Sequence, residues 1–213
     1  MRDGVGLGCA LAWIAILGLF VPCEVRAQTL SVEETEDLVR SRYFEGLPED
    51  QASQIGPEGA ARLVEMLADP GERANHDHVL LALGLCGAPG AFDAIADWAQ
   101  SPRTGDVDRD AFKAWQALPY ALGHLSRHDP RAFGPLEAQL AAGPPRWRFR
   151  HHRGGRLARL ARHAAANALA ETGSPEARRA LDRAVRNSTD PEFDAHLRDA
   201  RARHAQRVRE QSR

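Results

Sequence analysis

With 213 residues, the chain is long enough for one domain with a continuous core and too short for two full domains of ordinary size. Aromatic residues are only 6% of the total, and no run sustains period-two alternation of polar and apolar residues, which argues against a strand-rich fold. The formal net charge of -1 gives no basis for bulk nucleic-acid binding, and the expected fold class is all-α.

The first segment reads as an address. Arg2 precedes an apolar run from Val5 to Val21, Pro22 breaks it, and Val25-Arg26-Ala27 has the small or compact residues of an A-x-A-like cleavage site. A signal peptide over residues 1–27 is expected, cleaved after Ala27, with no stable membrane span in the mature chain. The mature protein would then begin near Gln28 and be secreted or periplasmic. Cys9 and Cys23 leave with the leader, so Cys86 is the remaining thiol and no internal disulfide is possible. Its apolar helical setting predicts a buried, inert group.

Residues 28–55 read as a capping helix and a linker. Ser31 with Glu34 forms a capping box, Glu33 to Asp37 favour the positive end of the helix dipole, and Leu38, Tyr43 and Phe44 supply an apolar face. Gly46, Pro48, Asp50 and Ser53 mark the linker.

Residues 56–187 carry a recurring pattern that comes into register on Pro57, Pro89, Pro130 and Pro175, each expected to start a helix. Two residues on stand Gly59, Ala91, Ala132 and Ala177, and six residues on stand Leu63, Ile95, Leu136 and Leu181. Four further on are Leu67, Ala99, Leu140 and Val185, so these positions share one helical face. Three of the prolines follow an apolar helix ending in a similar phrase: Ala82-Leu83-Gly84, Ala121-Leu122-Gly123 and Ala168-Leu169-Ala170. Pro119 falls within one of these helices and predicts a kink. Residues 188–213 follow as a C-terminal capping helix, opened by Pro191, with Phe193, Leu197, Ala200 and Val208 as a thin apolar stripe.

The phrases LALGLCGAPGAFDAI, YALGHLSRHDPRAFGPL and ALAETGSPEARRAL resemble the units of HEAT and HEAT-like repeat proteins. The resemblance spans about residues 56–187 and implies an α-solenoid of about four helix pairs with capping helices, because a single pair cannot bury its apolar face alone. It implies a scaffold and specifies no chemistry.

The segments Asp69 to Asn75, Ser101 to Arg109 and Gly143 to Gly155 fall between the two helices of successive pairs, and in such a stack they would project from one edge. The last contains the densest local signal: Arg146-Trp147-Arg148-Phe149-Arg150-His151-His152-Arg153-Gly154-Gly155-Arg156. Arginine alternating with aromatic rings suits an anionic polymer, a lipid headgroup or an acidic protein face. It equally suits a loop whose Trp147 and Phe149 pack back on the core. The candidate binding residues are Arg146, Trp147, Arg148, Phe149, Arg150, Arg153 and Arg156.

Nothing points to catalysis. His76 with His78, His124 with His128, and His151 with His152 lack the spacing of a complete metal-ligand set, and no HExxH, nucleophile elbow or phosphate-cradling glycine loop is present. No cofactor or metal is expected. The expected role is a non-catalytic interaction module whose partner is another envelope or extracellular protein. The alternative is a receptor for an anionic glycan or lipid headgroup through Arg146 to Arg156.

Overall fold

A computed structural model describes residues 29–103, 105–143 and 145–212. The expected leader and its cleavage site at Ala27 lie outside these residues. The described chain is mostly helical: α1 (Val32–Arg40), α2 (Glu49–Ala52), α3 (Pro57–Ala68), α4 (His76–Cys86), α5 (Ala91–Gln100), α6 (Arg109–Leu125), α7 (Phe133–Gln139), α8 (Gly154–Thr172), α9 (Pro175–Asn187) and α10 (Pro191–Gln211). Short 3-10 turns at Pro70–Asn75 and Pro130–Ala132 precede α4 and α7. Two strands of two residues each, β1 (Asp106–Val107) and β2 (Arg148–Phe149), lie in the loops before α6 and α8.

Helix starts follow their local chemistry. The Ser31 hydroxyl accepts from the Glu34 N–H at 3.2 Å, and the Glu34 carboxylate accepts from the Ser31 N–H at 2.8 Å, closing a reciprocal capping box on α1. Asp108, Ser174 and Asp190 cap α6, α9 and α10 through side-chain oxygens. Pro57, Pro175 and Pro191 occupy first helical positions.

Two prolines act differently from expectation. Pro89 lies in a turn whose Gly90 has φ of 87°, so α5 starts only at Ala91. Pro130 opens a 3-10 turn, and α7 begins three residues later. In both, an extra bend separates the proline from the helix that packs. The linker after α1 is also partly helical, since it contains α2. Phe44 is fully exposed because α1 ends at Arg40, which leaves that ring off the apolar face. On α10 the buried stripe runs through Phe193, Leu197, Ala200 and His204, whereas Val208 is exposed. α6 remains one helix through Pro119.

Packing forms two rows. In the first, α4 lies on α6, α6 on α8 and α8 on α10. The second is weakest between α5 and α7: α3 neighbours α5, α7 neighbours α9, and each also packs against its sequence neighbours in the first row. One core joins them: Leu63, Met66, Leu80, Leu83, Ile95, Leu125, Leu136, Leu169, Leu181 and Leu197 are all fully buried.

The recurring Ala-Leu-Gly phrase has a packing reason. A Cβ on Gly84 would overlap the Ala121 carbonyl, so α4 approaches the α6 backbone directly. A Cβ on Gly123 would lie 3.1 Å from Ala168 Cβ and 3.3 Å from the Ala168 carbonyl oxygen, a tight contact with α8 but a less severe one. Each glycine thus faces the alanine of the next phrase. Gly87, with φ of 60°, closes α4 in the left-handed region and lets the His128 ring sit against its backbone. Cys86 is half-buried beside this cap, where burial pushes its thiol pKa up and keeps it protonated at neutral pH.

Candidate functional site

The three loops between paired helices meet along one edge. Arg73, in the 3-10 turn before α4, donates to the Asp108 carboxylate at 2.9 Å. Asp108 also accepts from the Ala111 N–H at 2.8 Å as the cap of α6. That backbone donor, followed by the Arg73 pair, holds its carboxyl below the usual range. β1 then pairs in parallel with β2, placing Asp106 opposite Arg148 and Val107 opposite Phe149.

The two-residue pairing explains the alternation of the arginine segment. Side chains of an extended segment point to opposite faces in turn. Arg148 and Arg150 face outward, with side chains 75% and 70% exposed, and both donate Nε–H to the Asp106 carboxylate, at 2.6 and 3.2 Å. The guanidiniums of Arg150 and Arg148 hold that carboxyl below its ordinary pKa. One carboxylate facing two guanidiniums leaves net positive charge outside.

The odd-numbered rings turn inward. Trp147 packs edge-to-face on Trp98 with centroids 5.2 Å apart, and the Arg103 guanidinium lies 4.4 Å from the Trp147 ring centre. Phe149 is buried against Phe112 and Trp115, and His152 stacks on Phe112 at 4.5 Å. Of the seven candidate binding residues, Trp147 and Phe149 are therefore anchors of the strap. Arg148 and Arg150 share one acid. Arg146, Arg153 and Arg156 are exposed and make no ion pair with a described residue.

His76 supports this edge from beneath. Its Nδ1 accepts from the Trp98 indole N–H at 3.2 Å, while Nε2 faces the Met66 and Asp69 carbonyls, each at 3.2 Å. These partners assign the neutral tautomer with the proton on Nε2. Burial lowers the His76 pKa, with the nearby Arg103 and Arg73 adding to the fall against the two carbonyl bonds. A groove of about 640 Å³ opens above it, lined by Val64, Leu67, Arg73, Trp98, Arg103 and Asp106 among others.

The histidine pairs do not converge. His78 faces the Val39 carbonyl at 3.0 Å rather than joining His76, and His128 lies against Gly87. His124 faces an inner hollow shared with Glu49, Arg127, Glu171 and Arg207. Among the described residues, no three histidine, cysteine, aspartate or glutamate side chains are grouped to hold a metal ion, and no helix is long and apolar enough to cross a membrane.

Arg73, Arg103, Asp106 and Asp108 organise the edge; the sequence marks the loops that hold them but no role for these side chains, and it offers His76 only as half of a histidine pair. Asp106-Val107-Asp108 carries no motif, and its importance arises only when a strap some forty residues later lies beside it. Chemically, the edge can pair exposed guanidiniums with anionic groups on a surface held in shape by buried rings. Comparison with protein-family models, with characterised proteins and with solved structures yields no match.

Proposed function

We propose that the chain is a non-catalytic binding module, an α-solenoid of about four HEAT-like helix pairs with capping helices, that presents its loop edge to another protein outside the cytoplasm. The observation that carries this reading is the convergence of three inter-helix loops into one edge through the Arg73–Asp108 pair and the β1–β2 pairing. Two rows of helices with glycine-to-alanine contacts between successive first-row members support the repeat reading. Export, with cleavage after Ala27, places the partner in the envelope or the extracellular medium.

A second reading has its own support. Arg148 and Arg150 stand outward on an anchored strap beside Arg146 and Arg153, an arrangement suited to an anionic glycan or lipid headgroup. Affinity capture from envelope extract tests both. The bait is the protein beside a variant with Arg146, Arg148, Arg150 and Arg153 changed to Ser, each eluted by a salt gradient. A protein retained by both baits at high salt is the expected result. A non-protein anion that is lost with the variant, or released at modest salt, overturns the protein-scaffold reading in favour of the anionic ligand.

A further inference from the structure

The apolar stripe of α8 is wider than its packing requires. Leu157, Ala165, Ala168 and Leu169 are buried, but Leu160, Ala161 and Ala164 are only half-buried. These three line a hollow of about 210 Å³, whose other walls include Trp115 and Pro119 of α6 and Pro145 beyond α7. The lining is mostly apolar. Gln116 and Leu160 also line a second hollow of about 580 Å³, so the two lie side by side with these residues as their common rim.

The second hollow is also mostly apolar, with Phe112, Leu157 and Leu160 in its lining, but charged side chains stand in its wall. Arg156, Arg159, His152 and His163 line it, with Glu192 the one acid in its wall. Glu192 already accepts from Arg159 at 3.1 Å. Arg156 has no ion pair with a described residue, and His163 Nε2 is buried without a hydrogen-bond partner among them. Arg156 stands one helical turn before Leu160, so a cation and an apolar wall follow each other along one face of α8.

We propose that this pair of hollows binds a single medium-chain fatty-acid anion. Its alkyl tail lies between Trp115, Pro119, Leu160, Ala161 and Ala164, and its carboxylate faces Arg156. Burying methylenes in the tail hollow supplies affinity, and the guanidinium fixes the direction of entry. One negative head matches a wall with one unneutralised guanidinium, which selects an anion over a neutral or cationic amphiphile. The site uses neither Arg148 nor Arg150; Arg156 closes the same arginine segment, so the Arg148/Arg150 variant is what separates this site from the loop-edge readings.

Isothermal titration of the purified protein with decanoate, decyltrimethylammonium and butyrate tests this. The expected result is one decanoate per chain, with decyltrimethylammonium and butyrate each at least about tenfold weaker. Arg156→Ser, an exposed change that leaves the unfolding midpoint near the parent's, should weaken decanoate about tenfold. Ala161→Phe, which fills the tail hollow, should abolish binding while helical content is retained. An Arg148→Ser/Arg150→Ser variant should bind decanoate like the parent. Equal affinity for the two decyl compounds, an unaffected Arg156→Ser, retained binding by Ala161→Phe, or loss confined to the Arg148/Arg150 variant would each overturn the proposal.

Discussion

The α4–α6–α8 row and the strap around β2 hold together by opposite means. In the row, side chains are removed: Gly84 and Gly123 let backbones approach, and the stabilisation comes from the area of helix surface brought into contact. In the strap, two backbone pairs are reinforced by large rings, Trp147 on Trp98 and Phe149 between Phe112 and Trp115, with Asp106 clasping two arginines outside. Close backbone packing tolerates no added volume. A ring-anchored strap tolerates surface change and fails when an anchor is lost. The first suits a frame, and the second suits a surface that can vary.

Substitutions can break that contrast in order of severity. Gly84→Leu should be the most damaging, at roughly 4 kcal/mol in urea unfolding, because the new side chain meets the Ala121 backbone, which cannot rotate away. Gly123→Ala sharpens the point: its less severe contact with Ala168 is offset by better helix propensity, and the net change should stay within about 1 kcal/mol. Equal losses at the two sites would show that the α4–α6 approach is no closer than α6–α8.

Phe149→Ala should cost roughly 3 kcal/mol, since the ring is buried among three others and the loop closes poorly over the void. Hydrogen exchange should rise in residues 145–153 before it rises in α4 or α6. Uniform acceleration across the chain would mean that strap and frame unfold as one unit.

Trp98→Phe should cost about 1–2 kcal/mol at pH 8 by leaving His76 Nδ1 buried without its donor. The parent should also lose stability in acid. Unfolded His76 protonates near pH 6.5. In the folded chain burial depresses that pKa, so below about 6.5 the unfolded state binds more protons and stability falls until the folded value is reached. His124 and His163, likewise lowered chiefly by burial, add with the same sign. Removing the indole N–H eases protonation of folded His76, so unfolding midpoints of Trp98→Phe at pH 5 and pH 8 should differ less than the parent's. A steeper dependence would place the acid sensitivity elsewhere.

Asp106→Asn should be the mildest change. Its partners are largely exposed, so global unfolding should hardly move, while residues 148–150 should exchange severalfold faster. A large loss of stability would make the clasp part of the frame.

Much of this architecture is written locally. The Ser31/Glu34 capping box, the prolines at the starts of α3, α9 and α10, and the apolar faces through Leu63, Leu136 and Leu181 depend on residues within a turn or two of one another, so the chain itself announces the helices. What needed the tertiary structure were pairings across distance. No local signal says that Asp106 will face Arg148, that Trp98 will hold His76 and Trp147, or that Leu160, Ala161 and Ala164 will line a hollow while Leu157 and Leu169 are buried. A helical face is set by the 3.6-residue turn of one segment, but which part of that face meets a neighbour depends on where a second helix arrives.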